Sequence, residues 1–264
     1  MTNKLKIIYS VEPDAAALAR RAAAYFVERA QAVVAVRGRA RMAISGGSTP
    51  KATFGLLADP SQPWRAKMPW DKVDLWWVDE RCVPPDDADS NYRMTREEML
   101  DKVPLKPEQI HRIEGELEPA AGAARYEEEL RKGFGLAEDG LPQFDVMQLG
   151  MGPDGHTASL FPHTAALNET GRLAVANHVT AKDAWRITLT LPVINHAAEV
   201  FFLIAGTDKA QILKEVLLGP RDPERLPSQL IFPANDILTL LLDRAAAALL
   251  PAPGQNGKGT IERI

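Results

Sequence analysis

Short apolar runs of strand length alternate with longer stretches of helical periodicity, and this alternation restricts the fold more than any other feature of the chain. Such alternation is typical of an α/β fold, in which helices cover a mainly parallel sheet. We therefore predict an α/β fold with a mainly parallel, doubly wound sheet flanked by helices. The predicted strands are residues 6–9, 41–45, 73–78, 145–149, 186–191 and 200–205.

Three segments carry the clearest helical patterns. Residues 14–36 place apolar side chains at helical spacing, with charged side chains on the other faces. Residues 209–218 repeat this pattern and stop at a Gly-Pro pair, and residues 243–250 are predicted to form the last helix. The tail at 251–259 is rich in Pro and Gly, so we expect it to be mobile.

Composition excludes several classes of protein. The 264 residues are 45% apolar and 25% charged, which is ordinary for a folded globular protein and unlike disordered or collagen-like chains. The net charge is −4 and the basic residues are scattered among acidic ones, which argues against binding of nucleic acid. No stretch is apolar enough to span a bilayer, so no membrane role is expected. An anionic substrate would need a local positive site.

The sequence also bears on compartment and domain organisation. Cys82 is the single cysteine and the N-terminal segment lacks the apolar stretch of a signal peptide, which together favour a cytoplasmic location. No internal repeat or long linker divides the chain, so we predict a single domain over residues 1–264. A small subdomain over about 104–141, which holds an acidic helical run, is the alternative. The sequence does not fix the oligomeric state, and a monomer is the favoured expectation.

The first segment that could carry chemistry is SGGSTP, which follows the second predicted strand and precedes a predicted helix. Ser48 or Thr49 can cap that helix. Gly46 and Gly47 let backbone N–H groups approach an anion at the positive end of the helix dipole. This order favours a phosphate-binding turn, although a capped strand-to-helix turn without a ligand would have the same pattern.

Charged side chains follow the third predicted strand in WVDER. Ligands of open α/β sheets bind beyond the carboxyl ends of the strands, so Asp79, Glu80 and Arg81 are well placed for a polar site. A solvated strand exit with one ion pair is an equally simple interpretation. Asn91 comes further on, in SNYRM at a predicted helix start, and says little by itself.

The segment GMGPDGHTASLFP follows the strand predicted at 145–149. Its glycines match the dinucleotide fingerprint G-x-G-x-x-G. A dinucleotide-binding helix would run on for about three turns, whereas Pro162 would end a helix here soon after its start. We therefore reject dinucleotide binding, and an Asp-Gly-His sequence on a glycine turn remains.

His156 is the candidate general base of this turn, because an imidazole exchanges protons near neutral pH and Asp154 is close enough in sequence to orient it. A structural or exposed histidine is the alternative. The other histidines are dispersed and no HExxH pair occurs, so no metal ion is expected. Arg186 and Lys209, each next to a predicted strand, could supply positive charge, although a solvated surface charge is the simpler interpretation of either.

Taken together, these segments resemble the 6-phosphogluconolactonases of the pentose phosphate pathway, over roughly residues 43–218. The glycine turn and the DGH turn also occur in the glucosamine-6-phosphate deaminases, whereas WVDER, SNYRM and HTASLFP are more specific to the lactonases. The resemblance implies the sugar-phosphate isomerase/lactonase type of fold. The motifs that carry it are, in order, SGGSTP, WVDERCVPPDDADSNYRM, LGMGPDGHTASLFP, RITLTLP and LIAGTDKA.

The resemblance implies hydrolysis of a small sugar-phosphate lactone, 6-phosphoglucono-lactone, to 6-phosphogluconate without a metal or organic cofactor. It makes His156 the base that activates water against the lactone carbonyl and returns the proton to the departing ring oxygen. It assigns Asp154 and Asp79 to sugar hydroxyls or to the water. The residues implied to bind the phosphate are Gly46, Gly47, Ser48, Thr49, Arg186 and Lys209, and those implied to line the site are Arg81 and Asn91.

One position separates the lactonases from the deaminases. In the deaminases a glutamate follows the histidine of the DGH turn by five residues and supplies a second acid for ring opening and isomerisation. Phe161 occupies that position here, so a deaminase is the weaker alternative. A non-catalytic sugar-phosphate sensor is the remaining one, but it would need an attached partner or DNA-binding module, and the first predicted strand and helix do not supply one.

Overall fold

The strands form two sheets, one large and mainly parallel and one small and antiparallel. The computed structural model describes residues 4–254 and 258–263, and within these ranges there are eleven strands and seven α-helices. The strands are β1 (Leu5–Glu12), β2 (Ala40–Ile44), β3 (Val73–Trp77), β4 (Asp79–Arg81), β5 (Ile110–His111), β6 (Val146–Leu149), β7 (Ala174–Val179), β8 (Ala184–Leu189), β9 (Val200–Ile204), β10 (Ile237–Asp243) and β11 (Lys258–Arg263). The helices are α1 (Ala15–Arg37), α2 (Ser48–Ala58), α3 (Pro63–Lys67), α4 (Asn91–Glu98), α5 (Pro119–Phe134), α6 (Leu191–His196) and α7 (Ala210–Leu218).

The larger sheet has the strand order β11-β1-β10-β9-β6-β2-β3-β5. Every neighbouring pair in it is parallel except β1 with β11, which is antiparallel. The central strands are buried along their whole length, as in the VFFLI of β9, because helices and loops cover the sheet. The predicted α/β fold with a mainly parallel sheet and flanking helices is therefore confirmed.

Helix α1 confirms the prediction made for residues 14–36. Asp14 caps it by accepting a hydrogen bond from the backbone N–H of Ala17 at 2.7 Å, and Gly38 ends it in the left-handed conformation with φ 76°. Its apolar face packs on the sheet, where the ring of Phe26 lies 5.3 Å from that of Phe201 in β9. The helix is thus held by the burial of one apolar stripe.

The small sheet has the order β4-β8-β7 and contains the strand predicted at 186–191. This strand is therefore not part of the parallel sheet. Its register places Arg186 opposite Arg81, and Thr188 opposite Asp79. Because β4 follows β3 after a single residue, the small sheet begins where one strand of the large sheet ends.

The end of the chain differs from the prediction of a helix at 243–250. The apolar run before it forms β10, which pairs in parallel with β1 and β9, and residues 244–249 form turns. The carboxylate of Asp243 ends the strand by accepting hydrogen bonds from the backbone N–H groups of Gly206 at 3.1 Å and Ala246 at 2.7 Å. In the tail expected to be mobile, residues 258–259 belong to β11, and residues 255–257 lie outside the described residues.

The segment around 104–141 is joined to both sheets. Its strand β5 pairs with β3 at one edge of the large sheet, and its helix α5 packs against β7 and β8 of the small sheet. The hydroxyl of Tyr126 in α5 donates a hydrogen bond to the carbonyl of Trp77 at 2.7 Å and accepts one from the N–H of Trp77 at 3.2 Å. Among the described residues, none of the helices combines the length and the apolar character that crossing a bilayer would require.

Candidate active site

One cleft of about 250 Å³ lies at the carboxyl ends of β2, β3, β6 and β9. These strands are parallel neighbours, so the segments that follow them meet at the same edge of the sheet. Asp154 lies behind His156, to which it is hydrogen-bonded, and Ser48 and Thr49 line an adjoining cavity that also touches Lys209. The predicted site residues that line the cleft are His156, Asp79, Gly46, Gly47, Arg81, Asn91, Arg186 and Lys209.

The imidazole of His156 is held by two neighbours. Its Nδ1 lies 2.5 Å from Oδ1 of Asp154, and its ring stacks on Phe161 with the centroids 3.9 Å apart and the planes at 22°. The side chain remains 20% exposed. With Nδ1 engaged by a carboxylate, Nε2 is the nitrogen available to exchange a proton with a molecule in the cleft.

The surroundings of Asp154 favour the ionised form of its carboxyl group. Burial acts to raise its pKa, but the hydrogen bond with His156 and the positive charge of the ring outweigh burial, so the pKa of Asp154 lies below its usual value. An ionised Asp154 accepts a hydrogen bond from the N–H group at Nδ1 and so fixes the tautomer of the ring. The pair has the form of a general base with its orienting acid.

Glycines allow the backbone to wrap closely around His156. A Cβ at Gly152 would lie 2.0 Å from both Cε1 and Nδ1 of the imidazole. Gly155 has φ 80°, and a Cβ there would lie 2.9 Å from a methyl group of Leu226. Residues 150–164, all of them described, form turns and an isolated bridge rather than a helix, which confirms that these glycines do not open a dinucleotide-binding helix.

Asp79 enters the cleft from β4 and is held by a serine that the sequence analysis did not single out. The hydroxyl of Ser159 donates a hydrogen bond to Oδ2 of Asp79 at 2.7 Å. Ser159 is itself fully buried, and its carbonyl accepts a hydrogen bond from Nδ2 of Asn177 at 2.9 Å. The preceding residue, Ala158, has φ 50°, which is uncommon for a residue with a side chain. The turn after His156 therefore orients Asp79 as well as the imidazole.

Glu80 does not face the cleft, contrary to the expectation that Asp79, Glu80 and Arg81 together form a polar site. It is 2% exposed and its carboxylate accepts hydrogen bonds at the start of α4, from the N–H groups of Asn91 at 2.7 Å and Tyr92 at 2.8 Å. Burial raises its pKa, while these hydrogen bonds act in the opposite direction. Glu80 thus attaches the segment that carries Asn91 to β4.

We expect Glu80→Gln to lower the free energy of unfolding by about 1–3 kcal/mol. Each oxygen of Glu80 accepts a backbone N–H, Oε1 from Asn91 and Oε2 from Tyr92, so the amide group of glutamine would face a donor in either orientation. Urea unfolding measures the change. Glu128→Gln is the matched control, because that side chain is 71% exposed, and it should cost less than about 0.5 kcal/mol. Equal effects of the two substitutions would contradict the prediction.

The cleft has a positive side formed by the small sheet. Arg81 and Arg186 lie directly opposite each other on β4 and β8, and Nη1 of Arg81 donates to the carbonyl of Asp89 at 2.5 Å. Burial lowers the pKa of Arg186 and the positive charge of Arg81 lowers it further, while Asp79 opposes both. Within residues 4–254 and 258–263 neither guanidinium forms an ion pair with a carboxylate. Two adjacent cations without a direct ion-pair partner favour an anionic ligand.

Lys209 and the glycine turn form the other side of the cleft. Nζ of Lys209 lies 3.1 Å from Oδ2 of Asp208, and the side chain is 19% exposed. Gly47 precedes α2 with φ 115°, a conformation that favours glycine. Gly46 meets the side chain of Asn91, whose Nδ2 donates to the carbonyl of Asp79 at 3.0 Å. The structure therefore brings the segments that follow β2, β4 and β9 together.

Gly46→Ala should destabilise the protein, because the added Cβ would lie 1.8 Å from Oδ1 of Asn91. The side chain of Asn91 is buried and donates a hydrogen bond from Nδ2 to the carbonyl of Asp79, so it cannot turn away freely, and we expect a loss of about 1–3 kcal/mol in the free energy of unfolding. The double variant Gly46→Ala/Asn91→Ala removes the clash. Unfolding curves of the single and double variants should show that the double variant is more stable than additivity predicts. Strictly additive effects would contradict the proposed contact.

The site gives no sign of a built metal centre in the described part of the chain: no group of three or more His, Cys, Asp or Glu side chains there is arranged to hold an ion. What the residues offer is one imidazole with its carboxylate partner, a second oriented carboxylate and three cationic side chains around one cleft. This set suits acid–base chemistry on an anionic ligand.

Comparison with known proteins gives a consistent result. Residues 13–240 match the family of glucosamine-6-phosphate isomerases/6-phosphogluconolactonase. A 6-phosphogluconolactonase from Nostoc sp. is 40% identical over 247 residues, which are 93% of this chain and 99% of that protein.

Solved structures agree in fold. The crystal structure of the devB protein has a TM-score of 0.83 at 34% identity, covering 93% of this chain and all of that one. The 6-phosphogluconolactonase of Trypanosoma brucei has a TM-score of 0.78 at 28% identity, covering 94% of this chain and all of that one. With a family match over most of its length and relatives of this similarity, the chain is a member of the glucosamine-6-phosphate isomerase/6-phosphogluconolactonase family.

Proposed function

We propose that the protein hydrolyses 6-phospho-D-glucono-1,5-lactone to 6-phosphogluconate, the second step of the oxidative pentose phosphate pathway. The observation that carries the proposal is the His156–Asp154 pair in a cleft that three cationic side chains also line. Relatives named 6-phosphogluconolactonase, such as the Nostoc protein at 40% identity, support the same reaction. The enzyme is accordingly a carboxylic ester hydrolase.

In the proposed mechanism, Nε2 of His156 takes a proton from a water molecule as the water oxygen attacks the lactone carbonyl carbon. The resulting tetrahedral intermediate collapses by breaking the bond between that carbon and the ring oxygen. The imidazolium returns its proton to the ring oxygen, which becomes a hydroxyl, and the former carbonyl carbon becomes the carboxyl group. Asp154 stabilises the imidazolium between the two proton transfers. Positioned proton transfer of this kind contributes about 10²- to 10⁴-fold to the rate.

The other residues of the cleft bind the substrate in this proposal. Arg186 and Lys209, together with the backbone of the glycine turn at Gly46, Gly47, Ser48 and Thr49, hold the phosphate. Asp79 binds sugar hydroxyls or the water, and Arg81 and Asn91 line the site. Asp154 was expected to share the role of Asp79, but it does not line the cleft and acts through the imidazole of His156. The arrangement supports these roles because Arg81, Arg186 and Lys209 line the same cleft as His156.

The side chain at position 161 disfavours the deaminase reaction. Phe161 is 3% exposed and stacks on the imidazole, so the place where the deaminases carry a second acid is filled here by a hydrocarbon ring. Ring opening and isomerisation need that acid, whereas lactone hydrolysis needs one base and one water molecule.

The test is release of acid from freshly generated 6-phosphogluconolactone, followed by pH-stat and corrected for spontaneous hydrolysis, with glucosamine 6-phosphate assayed in parallel. Turnover of the lactone alone, unaffected by a chelator, is the expected result. Ammonia release from glucosamine 6-phosphate would instead indicate a deaminase. Tight sugar-phosphate binding without turnover of either compound would indicate a sensor.

We further propose that the enzyme works in the cytoplasm as a monomer and as one domain. The pairing of β5 with β3 and the packing of α5 on the small sheet support one domain, because both tie residues 104–141 to the rest of the fold. Light scattering behind a sizing column should give the mass of a single chain.

A further inference from the structure

The ring of Phe161 contacts two groups of the cleft at once. It stacks on the imidazole of His156 with a centroid distance of 3.9 Å, and the guanidinium carbon of Arg186 lies over the same ring, 5.5 Å from its centroid. Both neighbours line the cleft, whereas Phe161 is almost fully buried. Phe161 therefore does not touch the substrate itself and can act only through these two side chains.

Stacking on Phe161 restrains a motion of the imidazole that the hydrogen bond to Asp154 does not restrain. A single hydrogen bond at Nδ1 fixes one atom of the imidazole in the plane of the ring but still permits tilting about that bond. Gly152 borders the ring at Cε1 and Nδ1, and Phe161 covers its face. Together the three contacts restrict the tilt of the ring and therefore the direction in which Nε2 points.

Phe161 itself is firmly placed by its surroundings. Leu160 before it is fully buried, and the carbonyl of Phe161 accepts a hydrogen bond from the hydroxyl of Thr164 at 2.8 Å. That hydroxyl also receives a hydrogen bond from Nδ2 of Asn177 at 3.1 Å. The aromatic ring thus stands on a hydrogen-bonded turn, which makes it a rigid support for the more exposed imidazole.

We propose that Phe161 is a positioning residue, which aims Nε2 of His156 at the reacting atoms by stacking on the imidazole while supporting Arg186 with the same ring. The proposal rests on the lactonase function proposed above. It gives Phe161 a role of its own, in addition to the fact that an acid is missing at this position. It predicts that loss of the ring lowers kcat, because a base that tilts away reacts less often even when the substrate is bound.

Phe161→Leu keeps an apolar side chain and removes the aromatic face. We expect kcat to fall about 10- to 100-fold, as for other small misplacements of a catalytic group. KM should change by no more than about fivefold, because a cation–π contact contributes modestly and Arg186 remains on β8. Phe161→Tyr keeps the ring and should retain most of kcat. Phe161→Met serves as a second ring-free variant if the leucine variant does not fold.

Two controls separate positioning from general loss of packing. Phe26→Leu removes a buried aromatic ring from α1, away from the cleft, and should lower Tm without lowering kcat. In the proton NMR spectrum the imidazole CH signals of His156, assigned with His156→Gln, should be shifted upfield in the wild type by the ring current of Phe161. This shift should disappear in Phe161→Leu and Phe161→Met.

The outcomes distinguish this proposal from the function on which it rests. A wild-type protein without lactonase activity would overturn both. An active wild type with unchanged kcat in the ring-free variants, or with no upfield shift of the His156 signals, would overturn only the role of Phe161. A fall in kcat that Phe161→Tyr does not rescue, or that Phe26→Leu reproduces, would assign the effect to packing and would equally overturn it.

Discussion

His156→Ala should lower kcat for the lactone by about 10²- to 10⁴-fold and leave KM within a few-fold of the wild type. In the proposed mechanism the imidazole takes a proton from water and returns it to the ring oxygen, whereas the remaining side chains of the cleft bind the substrate. Steady-state kinetics by pH-stat measure both parameters. Binding of the product 6-phosphogluconate, followed by calorimetry, should survive the substitution.

A second histidine provides the matched control. His178 lies on β7 in the small sheet, close to Asp183, and it does not line the cleft. His178→Ala should therefore leave kcat unchanged. Full lactonase activity in His156→Ala would disprove the proposed base even if the function itself were correct.

Arg186→Met should raise KM for the lactone by about 10- to 100-fold, with a smaller effect on kcat. Charge-assisted hydrogen bonds contribute about 1.5–3 kcal/mol, which corresponds to this range. Methionine keeps much of the length of the side chain, so the half-buried strand position on β8 remains filled. The kinetics should be measured at low and at high salt, because added ions screen the charges that attract the phosphate.

The control has to reproduce the change in net charge. Arg20→Met removes one positive charge from the exposed side of α1 and should leave KM unchanged at both salt concentrations. If Arg186→Met also left KM unchanged, Arg186 would not bind the phosphate. If both substitutions raised KM equally, long-range attraction rather than contact would explain the effect.

Most strands that are buried on both faces could be predicted from the sequence, although β10 was missed even though residues 237–242 are apolar apart from Thr239. Such strands are continuously apolar, and this is why the runs that became β2, β3, β6 and β9 stood out. The prediction of a last helix was wrong. An Ala- and Leu-rich stretch follows Asp243 directly and favours a helix locally, but the contacts that Asp243 makes with Gly206 override this propensity. The three residues of β4 are too few for a pattern, so the small antiparallel sheet could not be predicted.

The candidate site, like the fold, could be predicted from the sequence only in part. Residues at the ends of parallel strands meet at one edge, so the order of the motifs was enough to bring His156 and Asp79 into the same cleft. Side chains alternate between the faces of a strand, and this rule separates Glu80 from its neighbours Asp79 and Arg81. Ser159 could not be found, because a serine in a turn has no distinctive pattern. Its contact with Asp79 joins residues far apart in sequence.

The cleft lies at the junction of two sheets, and each sheet contributes different side chains to it. The base stands on a turn that follows the large sheet, whereas both arginines stand on adjacent strands of the small one. In the register of these strands the two arginines lie directly opposite each other. Because the ring of Phe161 contacts both Arg186 and His156, and Ser159 holds Asp79 of β4, a change in the small sheet reaches the imidazole as well, so substrates of altered charge would require compensating changes in both sheets.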